Sequence, residues 1–157
     1  MTKQLAKFFL EDNISSVDWF FGLLTFEYHT NDGASYNLFS GQQWLFALIT
    51  LFALVLFGYF FLSISFKNKK VYSIAIILFI AGTLGNAIDR LIYGFVIDFI
   101  QYNFLSAPLN LIGLGNFWNN FADLYLTFAI VLYAIDIFFL ESKRKKGSEL
   151  NHEKMDD

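Results

Sequence analysis

Asn86, Asp89 and Arg90 stand at i, i+3 and i+4 where a long apolar run ends, which puts them on one face of a helix end. A second carboxylate, Asp98, follows nine residues after Asp89, and a third, Asp123, opens the next apolar run just after Asn119 and Asn120. Charges at the end of a membrane helix are costly unless they face a wet cavity or each other, so they are functional candidates. Two carboxylates brought close cannot both ionise easily, so one keeps a proton while the other acts as a base. Such a pair can activate water against an amide: the base takes a proton from the water, and the acid protonates the carbonyl oxygen or the leaving nitrogen. The spacing leaves open which two of Asp89, Asp98 and Asp123 form the pair. It also leaves open a purely structural ion pair that caps and anchors the helix end.

The elements that must position these groups follow from composition and apolar runs. Of 157 residues, 56% are hydrophobic and only 16% charged, whereas a soluble domain is about a quarter charged. The chain is therefore expected to be an integral membrane protein. A net charge of −3 without a basic face excludes a nucleic-acid binder. The absence of cysteine excludes disulfides, thiolate metal sites and a cysteine nucleophile. His29 and His152 are too far apart in sequence to suggest a metal site, and no cofactor is expected.

Residues 1–17 are polar and mixed in charge, without the apolar core of a signal peptide. Residues 24–30 alternate apolar and polar, as in a half-buried strand, and His29 on it reads as a surface side chain rather than a base. Asn31-Asp32-Gly33 supplies a turn, after which residues 34–39 could return as a second strand. Residues 44–65 carry no charge and are long enough to span a bilayer. Lys67, Lys69 and Lys70 follow, and then a shorter span over residues 71–88, where Ala81 and Gly85 permit close helix contact. Residues 90–120, with Pro108, form a long apolar connection expected to lie on the membrane surface. Residues 121–140 make the last span, closed by Lys143, Arg144, Lys145 and Lys146 at the start of a charged tail, 143–157. Asp136 lies about 20 Å along that helix from Asp123 and belongs near the opposite face, beside the basic cluster.

Lysines and arginines flank the loop after residue 65 and the end after residue 140, so both are expected in the cytoplasm and the three carboxylates outside. Three spans then put the amino terminus outside, yet no visible segment would carry about forty polar residues across. An additional helix before Met1 is expected on that count.

Gly85-Asn86-Ala87-Ile88-Asp89-Arg90, then Gly94 with Val96-Ile97-Asp98-Phe99, then Asn120-Phe121-Ala122-Asp123, resembles lipoprotein signal peptidase (signal peptidase II). Asn31-Asp32-Gly33-Ala34-Ser35-Tyr36 is similar to a further block of that family, and the resemblance covers residues 2–142. It implies one membrane-embedded peptidase domain over residues 1–142: an all-α bundle with a small extracytoplasmic β-cradle, with three spanning helices here and four in the family. By matching position Asp98 and Asp123 would be the catalytic dyad of an aspartyl endopeptidase. Asn31, Asn86, Arg90 and Asn120 would hold the substrate backbone and the dyad, and Asp89 would be structural. The implied substrate is a diacylglyceryl-modified prolipoprotein, cut before its lipidated cysteine. The implied location is the bacterial cytoplasmic membrane, among its lipids, as a monomer with the active site facing outward.

Met1-Thr2-Lys3 matches the last positions of a motif that ends the family's first helix, which would leave Lys3 without its acidic partner. The family commonly has Ser where this chain has Leu124, and often Gly at Asn37. Two other readings compete: a truncated, catalytically impaired member acting as a non-enzymatic membrane protein, and a proton or ion pathway built on the same carboxylates.

Overall fold

Helix lengths track the apolar runs in a computed structural model that describes residues 2–11, 16–33, 41–112 and 115–146. The chain enters through α1 (Thr2–Ala6) and a π-helical turn, Lys7–Glu11, then forms β1 (Val17–Trp19) and β2 (Leu24–Asn31). Next come α2 (Gln43–Phe61), α3 (Lys70–Tyr93), β3 (Val96–Tyr102), α4 (Asn103–Leu111), β4 (Trp118–Asn119) and α5 (Phe121–Ile135). A π-helical stretch, Asp136–Glu141, prolongs α5, so the whole rod spans Phe121–Lys146. Among the described residues α2, α3 and this rod are long and apolar enough to cross a membrane. At 1.5 Å per residue the 19 residues of α2 reach about 28 Å, close to the roughly 30 Å hydrocarbon core. Its outward Leu51, Phe52, Val55 and Tyr59 are largely exposed, a pattern suited to hydrocarbon rather than water.

α3 runs five residues beyond the expected end at Ile88. It stops because Gly94 takes the left-handed conformation, φ 79°, and its N–H donates to the Arg90 carbonyl at 3.0 Å. Asn86, Asp89 and Arg90 therefore sit in regular helix. α5 starts at a capping box: the Asn120 side chain accepts from Ala122 N and Asp123 N, while Asp123 Oδ2 accepts from Asn120 N.

The expected close contact at Ala81 and Gly85 is corrected by the packing. Ala81 is exposed, and the glycines that let α3 meet α5 are Gly82 and Gly85, one helical turn apart. A Cβ on Gly82 would lie 2.7 Å from the Ala122 carbonyl oxygen and 2.7 Å from Leu126 Cγ. Backbone cannot yield as a side chain can. Gly82→Ala is expected to destabilise by about 1–3 kcal/mol, whereas Gly58→Ala, with open space around it, should be neutral or better. Thermal unfolding of the two variants in detergent checks the contrast.

The four strands form one antiparallel sheet in the order β1-β2-β3-β4 at one end of the bundle. The strand expected over residues 24–30 is present. Its described partners are β1, which begins where the polar opening segment ends, and β3; residues 34–40 lie outside the described residues. The larger correction concerns residues 90–120, which do not simply lie along a surface. They supply β3, paired on both edges, together with α4, which contains Pro108, and β4. β3 escaped the sequence because Val96, Ile97, Asp98, Phe99 and Ile100 are all buried, so no period of two exists to be seen.

Candidate active site

Four elements bring the polar residues together. β3 carries Asp98, the first turn of α5 carries Asp123 after its cap Asn120, the last turns of α3 carry Asn86, Asp89 and Arg90, and Asn31 ends β2. β2 and β3 are in register as His29↔Asp98 and Asn31↔Val96, so Asn31 lies two residues along the strand from the position opposite Asp98, on the same face. Asn120 and Asp98 are almost fully buried, at 0% and 1% exposure. Buried polar groups at that depth must be hydrogen-bonded, and these are.

Asn120 Nδ2 donates to Asp98 Oδ1 at 2.7 Å and to Asn86 Oδ1 at 3.2 Å. Asn86 Nδ2 in turn donates to Asp123 Oδ1 at 2.7 Å, and Asn120 N donates to Asp123 Oδ2 at 2.9 Å. Asn31 Nδ2 completes the set, donating to Asp98 Oδ2 at 2.9 Å. Two amide side chains thus tie the two carboxylates into one network, and every carboxylate oxygen of the pair accepts a hydrogen bond. Burial pushes the Asp98 carboxyl up to about 6, with the negative charge of Asp123 adding to the rise. The bonds from Asn120 and Asn31 and the charge of Lys3 oppose it. Asp98, Asp123, Asn31, Asn86 and Arg90 line one cavity of about 200 Å³, together with Trp118. Among the described residues no group of three His, Asp or Glu side chains is placed to hold a metal ion.

Asp89 faces elsewhere. Its Oδ2 accepts from Lys3 Nζ at 2.7 Å and from Ile97 N at 2.9 Å, and the ion pair is buried on both sides. The expectation that Lys3 would be left without an acidic partner is corrected: Asp89 supplies one from another helix. The same ammonium donates to Asn86 Oδ1 at 2.7 Å, which links it to the carboxylate network. Arg90 Nη2 donates to Gly33 O at 3.1 Å, the guanidinium lies 4.6 Å from the Phe46 ring centre, and its buried Nε has no hydrogen-bond partner. His29 is exposed as expected, but its ring stacks on Trp118 at 4.8 Å. Asp136 sits at the other end of α5, where Arg144 grips both its oxygens at 2.9 and 2.6 Å.

Residues 1–139 match the family described as Signal peptidase (SPase) II. The chain belongs to the signal peptidase II family. A lipoprotein signal peptidase of Lactiplantibacillus plantarum is 36% identical over 124 residues, covering 79% of this chain and 76% of that protein. Another, from Clostridioides difficile, is 30% identical over 148 residues, covering 90% of each. A bacterial membrane enzyme whose structure was determined by the in meso method at 2.3 Å superposes with a TM-score of 0.69 at 32% identity, covering 91% of this chain and 83% of that one. The chain is thus a multi-pass membrane protein that shares the fold of that bacterial membrane enzyme. At Leu124, where the resemblance leads one to expect serine, the side chain packs against the cluster of Ala6, Phe99 and Ile100. Asn37 lies outside the described residues. Sequence reasoning missed the pairing of Lys3 with Asp89 and the place of Trp118 at the cavity; a lysine in a short polar lead-in and a tryptophan in a two-residue strand carry no spacing signal.

Proposed function

We propose that this chain is an aspartyl endopeptidase that removes signal peptides from diacylglyceryl-modified prolipoproteins, cutting before the lipidated cysteine. The observation that carries this reading is the pair Asp98 and Asp123, cross-tied by Asn86 and Asn120 beside one cavity. A water between the carboxylates would lose a proton to the ionised one and attack the scissile carbonyl. The protonated one would give its proton to the carbonyl oxygen, forming a diol; as the C–N bond breaks, the proton taken from water would pass to the leaving nitrogen and a diol hydroxyl would return a proton to the other carboxylate. Asp98, with its raised affinity for protons, suits the acid at the start of the cycle. Asn31, Asn86, Arg90 and Asn120 hold the dyad and offer donors to the substrate backbone, the first three from the wall of the cavity.

Arg90 also lines a second, apolar groove of about 580 Å³ between α2 and α3, with Phe46, Leu51, Leu54, Leu84 and Ile88. One residue shared by a polar cavity and an acyl-sized groove favours a substrate whose cleavage point adjoins lipid. In this reading the sheet end faces outward from the bacterial cytoplasmic membrane, the lysine-rich ends face the cytoplasm, and the enzyme works as a monomer. The test is cleavage, by purified full-length chain in detergent micelles, of one precursor prepared with and without the diacylglyceryl group. Only the lipidated form is expected to be cut, before its cysteine. Equal cutting of both forms, or of neither, would overturn the proposal.

The pH dependence follows from Asp98. A carboxyl raised to about 6 is protonated below that value and loses its proton as pH rises through it. The rate under kcat/KM conditions should therefore fall on the alkaline side, with an apparent value that belongs to the dyad as a pair. The sign for stability is the same. Folding favours the protonated form, so Asp98 contributes most at pH below the ordinary carboxylate value, and that contribution is lost as pH rises to about 6. Asn31→Ala removes a bond to the charged form and should move the alkaline limb upward. A limb unmoved by Asn31→Ala would separate Asp98 from the acid role.

A further inference from the structure

At the helix ends far from the dyad, Lys67, Lys70, Lys143 and Arg144 converge on a cavity of about 370 Å³ floored by Val71 and Leu140. Lys70 opens α3 and stands sixteen residues, roughly 24 Å of helix, before Asn86. The two sites therefore lie near opposite membrane faces. Two segments far apart in sequence meet here: the α2–α3 connection running into the first turn of α3, and the end of the α5 rod. Among the described residues no carboxylate lines the cavity. Neighbouring cations are neutralised, Arg144 by Asp136 and Lys145 by Glu141. Among the described residues the ammonium groups of Lys67, Lys70 and Lys143 make no ion pair or hydrogen bond, and all three residues are exposed.

We propose that this cavity binds the phosphate of an anionic phospholipid, with the acyl chains lying on the aliphatic floor. A rule that merely retains lysines on one side of a membrane asks for positive charge near a helix end. It does not ask two segments some seventy residues apart to enclose a concavity that no described carboxylate lines. Three ammonium groups held together repel one another, and a phosphodiester with acceptor oxygens on several sides relieves that repulsion. Below the charges, Val71 and Leu140 lead onto the outward faces of α3 and the α5 rod, where Ile77, Phe138 and Phe139 are exposed to the bilayer. A headgroup seated here leaves its chains in hydrocarbon, which a free anion would not need. Basic pockets between membrane helices are built to this plan. The proposal does not depend on which reaction the dyad performs.

The experiment is native mass spectrometry of the full chain released from bilayer discs holding equal phosphatidylglycerol and phosphatidylcholine of the same chains. The wild type should retain phosphatidylglycerol in excess. Each lysine near the membrane surface is worth about fivefold in anionic lipid binding, so Lys67→Gln/Lys70→Gln/Lys143→Gln should lose roughly tenfold or more of that excess. The corresponding triple arginine variant and Lys145→Gln should keep it. Should the triple glutamine variant not fold, Lys143→Gln alone is expected to lose about fivefold. Equal retention of the two lipids by the wild type, or an excess unchanged in the glutamine variants, would overturn the assignment. Displacement of the retained lipid by millimolar inorganic phosphate would overturn it too, since the site would then be one for a free anion.

Discussion

Asp98→Asn and Asp123→Asn are each expected to abolish cleavage of a lipidated precursor, while Asp136→Asn leaves turnover per folded molecule near normal. An amide can keep part of the hydrogen bonding around Asn120, Asn86 and Asn31. It can neither take a proton from water nor hand one to a leaving amine. General acid–base assistance alone is worth about 10²–10⁴-fold, and a dyad that must also hold the water in place loses more when one member is gone. Asp136, clamped by Arg144 at the other end of α5, touches none of this chemistry. The assay is precursor processing by purified protein in micelles, normalised to folded enzyme. Near-normal turnover in Asp98→Asn alongside its loss in Asp89→Asn would make Asp89 and Asp123 the pair.

Lys3→Met is expected to cost about 3–5 kcal/mol of stability. It strands the buried Asp89 carboxylate with only Ile97 N as a partner. Asp89→Asn should cost less than a truncation at the same position, because an amide oxygen can still accept from Ile97 N, though it leaves Lys3 buried beside a neutral group. Lys3 also donates to Asn86 Oδ1. Turnover per folded molecule should therefore fall further in Lys3→Met than in Asp89→Asn. Thermal unfolding and processing of the two variants in parallel separate these effects. An unchanged melting temperature in Lys3→Met would show that the ion pair carries no stability.

The loss from Lys3→Met also bears on what spacing left ambiguous. Three carboxylates near one membrane face allowed three pairings. The fold divides them by partner: Asp89 takes the ammonium and a strand N–H, whereas Asp98 and Asp123 share amide donors. Asp89 is committed to an ammonium partner, while two carboxylates joined through neutral amides retain the proton competition that acid–base work needs. Processing of the single variants tests whether that division is also the catalytic one.

What the sequence by itself determined was everything carried by local periodicity and composition. The spanning runs, the alternating strand that became β2, the Asn120–Asp123 helix start and the distance of Asp136 from the other carboxylates were all legible, because helix and strand periods are properties of short windows. The ordered polar blocks also pointed to the family. Only the tertiary structure decided the rest. β3 is buried on both faces, and a strand without an exposed side shows no alternation. The close approach of α3 and α5 runs through Gly82 rather than Ala81, a matter of which face turns toward the partner helix. Lys3 meets Asp89 across more than eighty residues of sequence. Lys67, Lys70 and Lys143 enclose a cavity only because α3 and the α5 rod end side by side. Each of these depends on which surfaces meet at long range, and that information lies in the packing rather than in any window of the chain.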